Sequence, residues 1–230
     1  MRIVSGRFRR RKLLASPGKT TRPITDRARE SLFARLEDEL EGSRVADVFS
    51  GTGTLGLESL SRGAESAIFF ENDRKAVELL RRNIETLDVG SEVFAWQVDI
   101  LRTSFRPGGQ EQRLPYDVVF FDPPYRMAYD IRPGEPLYRS LVRLAREGIS
   151  RTGTLLVLRT ARNCDLTLPE CWVQFDSMLM QSMEIRLCRL AEPVVPATKP
   201  SEADQQPDPA ADDVSTTDAS AIDTAPPADD

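Results

Sequence analysis

The chain has no histidine and only three cysteines among 230 residues. Without an imidazole, acid–base chemistry of the histidine kind is excluded. Cys164, Cys171 and Cys188 stand too far apart to suggest a zinc site or a disulfide framework. No apolar stretch approaches the length that spans a bilayer. The basic start, Arg7 to Lys12, has no apolar run behind it, so a signal peptide is not expected. These gaps point to a cytoplasmic protein without a metal, long enough to bury one α/β core with a small appendage.

What is present is charge, unevenly placed. The net charge of −5 hides a tail, residues 193–230, with 9 acidic side chains and one lysine, hence −8. Residues 1–35 hold 11 basic and 2 acidic groups, hence +9. A basic start on a nearly neutral body suits a polyanionic partner. Arg7, Arg9, Arg10, Arg11 and Lys12, with Lys19 and Arg22, are the candidates for phosphate contacts, which would position a nucleic acid without reading its sequence.

The pattern divides the chain into a basic amino-terminal arm (1–22), a domain (23–192) and an acidic Pro/Ala-rich tail (193–230) expected to be disordered. Ser5-Gly6 between short apolar pieces suggests a β-hairpin arm. Residues 23–40 read as one helix, with Arg27, Arg29 and Arg35 off its apolar line and turned to solvent or a ligand. Strands are expected at 44–49, 66–71, 92–98, 117–121 and 153–159, and helices at 54–62, 73–87 and 135–147. That alternation marks a parallel sheet covered on both faces. Two last runs, 171–180 and 183–190, read as a closing antiparallel hairpin.

Gly51-Thr52-Gly53-Thr54-Leu55-Gly56 follows the first strand and opens a helix, where glycines let the backbone turn and approach a ligand. Glu71 ends the next strand, placed to accept the hydroxyls of a ribose. Asp99 ends the third, beside the place for an adenine, or is an ordinary turn aspartate. A nicotinamide dinucleotide and S-adenosylmethionine both fit this pattern. Asp47 favours the second, since a carboxylate suits a cationic aminoacyl tail and not a pyrophosphate. Alternatively it caps the loop backbone.

Asp122-Pro123-Pro124-Tyr125 stands directly behind the apolar run Val118 to Phe121, at the end of a buried strand where open α/β sheets bind ligands. The prolines stiffen the turn and remove two donors. Asp122 and the Pro123 carbonyl can accept from an amino group while Tyr125 stacks the planar base that carries it. This tetrapeptide is the signature of enzymes that methylate exocyclic amines.

Arg2-Ile3-Val4-Ser5-Gly6, the run Arg22-Pro23-Ile24-Thr25-Asp26-Arg27, and Asp47-Val48-Phe49-Ser50-Gly51-Thr52-Gly53, with Glu71 and Asp122 to Tyr125, resemble the RsmD-type 16S ribosomal RNA guanine-N2 methyltransferases. The likeness runs from Arg2 to about Leu190. It implies a Rossmann-like class I methyltransferase fold, with a seven-stranded, mostly parallel sheet, a C-terminal antiparallel hairpin and the basic arm. It also implies S-adenosyl-L-methionine held by Asp47, Ser50, Gly51, Gly53, Glu71 and Asp99. Asp122, Pro123 and Tyr125 would be catalytic, and a guanine of 16S rRNA in the assembling small subunit the target. A monomer is expected. Ala34 stands where the family usually shows asparagine, Arg159 where the fifth strand often ends in glutamate, and the turn Met180 to Met183 lacks a glycine. The same tetrapeptide also serves DNA methylases acting on adenine N6 or cytosine N4, the alternative reading. An oxidoreductase on the same glycine turn and a non-catalytic RNA-binding protein are more distant ones.

Overall fold

Thr25 turns the extended chain into the first helix. Its hydroxyl accepts from the Ala28 amide at 3.2 Å, satisfying one of the unpaired donors of the first turn. The structure is a computed structural model that describes residues 1–15 and 24–195. Lys19, Arg22 and Pro23, and the expected tail from Pro196 onward, lie outside the described residues. The single helix expected over 23–40 divides at Leu36 into α1 (Asp26–Arg35) and α2 (Glu37–Leu40). Leu36 sits at φ −100° and ψ 4°, and with this break both Leu36 and Leu40 remain buried.

The remaining elements alternate as the pattern predicts, apart from one unforeseen short helix directly after the fourth strand. They are β1 (Arg44–Val48), α3 (Thr54–Ser61), β2 (Ser66–Glu71), α4 (Arg74–Leu87), β3 (Val93–Gln97), β4 (Tyr116–Phe121), α5 (Tyr125–Ala128), α6 (Pro136–Leu144), β5 (Ser150–Ala161), β6 (Trp172–Met180) and β7 (Met183–Leu190). The sheet runs β3-β2-β1-β4-β5-β7-β6. Its first five strands are parallel, and β7 is antiparallel to both β5 and β6. This is the Rossmann-like class I methyltransferase arrangement, with the closing hairpin inserted so that β7 lies inside β6. Adjacent residues serve opposite faces. Val45, Phe69 and Phe120 belong to the core beneath α1, α3 and α4, while Ala46, Phe70 and Phe121 belong to the core beneath α6. Burial on both faces is why β4 reads as an unbroken apolar run.

Residues 1–15 are bound onto α3 and α4. An isolated antiparallel bridge joins Arg2 and Lys12, and the segment between them is mostly turn. Ile3 and Leu13 enter the core. Gly6 comes so close to the end of α3 that a β-carbon there would lie 1.7 Å from the Ser61 carbonyl oxygen, a position only glycine can hold.

Glu58 organises this junction from the middle of α3. Its carboxylate accepts from the amides of Val4 at 2.8 Å and Ser5 at 3.0 Å, and from Arg62 Nε at 3.0 Å. Arg29 completes it and corrects the sequence expectation. Its side chain does not turn outward; it is fully buried, with Nε 3.7 Å from the equally buried Glu58. Arg29 Nη2 also donates to the Arg2 carbonyl at 2.6 Å and to Asp26 at 2.9 Å. The reason is charge. A carboxylate on the buried face of α3 needs a cation, and α1 supplies one.

Arg29→Met is therefore expected to cost about 3 kcal/mol by leaving Glu58 short of a buried partner. Urea denaturation followed by circular dichroism measures it, and a loss within error of zero would contradict the assignment.

Candidate active site

The order of strands reverses between β1 and β4, the place where open α/β sheets form a ligand crevice at the carboxyl ends of their strands. Asp47 on β1 and Asp122, one residue past β4, flank it. The two strands are tied at this point, with the Asp122 amide donating to the Val48 carbonyl at 3.2 Å.

Asp47 is 1% exposed. Its Oδ2 accepts from the Gly56 amide in the first turn of α3 at 2.8 Å, so the backbone cap foreseen as an alternative is the bond that forms. Burial, with Asp122 and Glu71 nearby, pushes its pKa up to about 7, against the Gly56 bond and Arg159, which lower it. The glycine loop between β1 and α3 takes left-handed turns at Gly51 (φ 55°) and Gly53 (φ 83°). A β-carbon on Gly51 would meet nothing within 4 Å, whereas one on Gly53 would lie 2.4 Å from Leu80 Cδ1. Gly51 thus has open space beside it and Gly53 is packed. Ser50 Oγ is buried without a hydrogen-bond partner among the described residues.

Glu71 is already engaged. Its Oε2 accepts from the Gly51 amide at 2.8 Å, and its Oε1 from the amides of Asn72 and Asp73 at 2.8 Å each. With about four acceptor positions on a carboxylate, one position on Oε2 stays open. Asp99 also supports its own turn, Oδ1 accepting from Leu101 at 2.9 Å. The structure therefore gathers Asp47, Ser50, Gly51, Gly53 and Glu71 about the carboxyl ends of β1 and β2, with Asp99 two residues past β3.

Past the end of β4, Asp122 does not stand alone. Arg159 of β5 donates from Nε to Oδ1 and from Nη2 to Oδ2, both at 2.6 Å. Burial raises the Asp122 pKa, opposed by the charge and hydrogen bonds of Arg159. Tyr125 opens α5, and its ring centroid lies 5.9 Å from the Arg159 guanidinium carbon. Tyr125 also forms part of the wall of a cavity of about 530 Å³, together with Thr25, Arg27 and Ser31 of the α1 region and Met180 and Met183 at the β6–β7 turn. In that turn Gln181 takes φ 32°, the place where a glycine was expected.

Sequence reasoning missed Arg159 as a partner of Asp122 and missed this cavity. The first was within reach, because Phe121 and Leu158 pair in register and the residue after each falls side by side. The cavity joins α1 to the far hairpin and leaves no local pattern.

The arm residues are placed elsewhere. Arg7 pairs with Glu92, just before β3, and Arg11 donates to the Thr86 carbonyl near the end of α4 at 2.7 Å. These lie toward the amino ends of the parallel strands, opposite the end that carries Asp122. Arg9, Arg10 and Lys12 are exposed.

The family model for Conserved hypothetical protein 95 matches residues 1–188. Ribosomal RNA small subunit methyltransferase D of Haemophilus influenzae is 32% identical over 174 residues, covering 75% of this chain and 84% of the relative. The protein of the same name from Escherichia coli is 39% identical over 126 residues, or 55% of this chain and 61% of that one. Among solved structures, the Escherichia coli protein yhhF, a candidate methyltransferase, superposes with a TM-score of 0.70 at 30% identity, covering 84% of this chain and 98% of that one.

The packing distinguishes the two loop glycines. Both substitutions to alanine incur left-handed strain, but Gly53→Ala adds a steric conflict and should destabilise by about 1 kcal/mol more than Gly51→Ala. Thermal unfolding of the two variants checks this, and equal losses would contradict it.

Proposed function

The chain belongs to the Conserved hypothetical protein 95 family, the RsmD-type ribosomal RNA methyltransferases, and from that premise we propose that it methylates the exocyclic N2 of one guanine in 16S rRNA. The methyl donor is S-adenosyl-L-methionine. The observation that carries the reading is the placement of Asp122, Pro123 and Tyr125 across the β1/β4 crevice from Asp47 and the glycine loop.

The donor wall fits that cofactor. Ser50 Oγ is a buried polar atom without a hydrogen-bond partner among the described residues, Gly51 has open space beside it, and Glu71 keeps an acceptor position for a ribose hydroxyl. Asp47 is the acceptor nearest the α3 amino end, suited to a cationic amino group, and Asp99 borders the adenine side. When bound, S-adenosylmethionine supplies an electrophilic methyl group on a positively charged sulfur.

The chain's own residues do the rest. Asp122 and the Pro123 carbonyl accept the N–H bonds of the amine and aim its lone pair. Tyr125 gives the base a stacking face, worth about 1–3 kcal/mol, and the adjoining cavity offers room for a nucleotide turned out of its stack. Nitrogen takes the methyl group as the carbon–sulfur bond breaks, and the proton lost from nitrogen passes to water. Positioning supplies much of the acceleration, so no histidine is needed.

The division at 22 and 192 is part of the proposal, with 23–192 as the catalytic domain. Exposed Arg9, Arg10 and Lys12 reach phosphates of the small-subunit RNA, while Arg7 and Arg11 hold the arm to the domain. A monomer acting in the cytoplasm on an assembling subunit suits this arrangement.

Tritiated methyl transfer onto 30S particles from a strain lacking the protein, followed by nucleoside analysis, tests the reading. N2-methylguanosine is expected. Label in DNA, or in another nucleoside, would overturn it. Asp122→Asn should lower kcat by about 10²–10³-fold with little change in cofactor affinity by calorimetry.

Asp47 sets a second expectation. A cationic ligand binds its ionised form, and that form is depleted below its pKa of about 7. Affinity for S-adenosylmethionine should therefore rise with pH, by about tenfold between pH 6 and pH 8, and the trend should flatten in Asp47→Asn. A flat wild-type profile would contradict the role.

A further inference from the structure

Arg159 is 6% exposed and makes the two 2.6 Å bonds to Asp122 that fix the carboxylate in its plane. Such forked pairing constrains orientation as well as charge. We propose that Arg159 is a positioning residue of the methyl transfer, holding the Asp122 carboxylate turned toward the amine. The proposal rests on the reading of Asp122 given above.

Three observations carry it. The pair is built by register, since Phe121 of β4 and Leu158 of β5 are partners and the next residue of each meets across the sheet. It stands at the ligand-binding ends of the strands and not in the body of the core. The guanidinium carbon also lies 5.9 Å from the Tyr125 ring centroid, so one side chain binds the acceptor and stands beside the stacking surface assigned to the base.

The bonding leaves the carboxylate able to work. Two of about four acceptor positions are taken by Arg159, and the others can receive an amine without breaking the pair. Charge gives the arginine a second task. Asp47 of β1 and Tyr125 of α5 act on Arg159 together with Asp122, and Glu71 of β2 acts on Asp47. Against these acidic groups Arg159 is, among the described residues, a cation that acts on Asp122 and opposes the rise that burial causes. Without it, burial and the neighbouring carboxylate would both favour the protonated acid, which accepts poorly from an amine.

The test compares wild type, Arg159→Gln and Arg159→Lys by the pH profile of kcat/KM on 30S particles, alongside carbon-13 NMR titration of the Asp122 carboxyl. In Arg159→Gln the Asp122 titration and the acid limb should both move up by about one to three pH units. Cofactor KM should stay near that of wild type.

Arg159→Lys keeps the charge and loses the fork. Its acid limb should remain in place while kcat falls by about tenfold or more. Should the glutamine variant fail to fold, the lysine variant still decides, because a wild-type kcat there overturns the proposal. So does an unmoved Asp122 titration in a folded glutamine variant. Failure of the amine reading looks different. Wild type would then transfer no methyl group to 30S RNA although the Asp122 titration still shifted in Arg159→Gln, and that shift supports the coupling of the pair.

Discussion

Two carboxylates and one guanidinium share the point where the strand order reverses. Asp47 and Asp122 approach the crevice from adjacent strands, and Arg159 answers the second of them with a two-pronged bond. Buried groups of like charge cannot all remain ionised without compensation. The site distributes the burden unequally. Burial raises the pKa of both; Asp122 has a fixed cation bonded to it, whereas Asp47 is bonded to a backbone amide. In the proposed reading, a cationic cofactor completes the balance on the Asp47 side, as a pyrophosphate would not.

The same logic recurs away from the site. Glu58 lies fully buried on α3 and gathers Arg29, Arg62 and the amides of Val4 and Ser5. Through it the first residues of the chain are joined to the body by buried polar bonds as well as by Ile3 and Leu13. The arm is consequently part of the folded domain surface. Its tip faces the end of the sheet away from Asp122, so the RNA contacts proposed for Arg9 and Arg10 lie at a distance from the reacting base. A large structured substrate such as a ribosomal subunit could span both ends.

Much of this architecture is legible in the residues themselves. Periodicity locates the strands to within a few residues, because a parallel strand buried on both faces reads as a short apolar run and its helices carry ordinary caps such as Asp73 on α4. The glycine loop, Glu71 and Asp122 to Tyr125 can be read because each is a local pattern with a fixed place after a strand. Long-range pairing is what residue order conceals. Arg29 looks solvent-facing because its partner Glu58 lies 29 residues away on another helix, and Arg159 looks like a family departure because its partner Asp122 lies on a neighbouring strand, 37 residues away. The engaged state of Glu71 and Asp99 is equally invisible, since backbone donors leave no trace in residue identity.

The central claim is that Asp122 receives the amine of a base stacked on Tyr125 beside the donor in the β1/β4 crevice. A crystal structure with S-adenosylhomocysteine and a short RNA containing the target guanine measures this directly. The guanine N2 should lie within hydrogen-bond distance of Asp122 and the Pro123 carbonyl, with its ring over Tyr125 and Arg159 still paired to Asp122. A base bound elsewhere, or one whose amine points away from Asp122 while the cofactor fills the glycine-loop wall, would contradict the account.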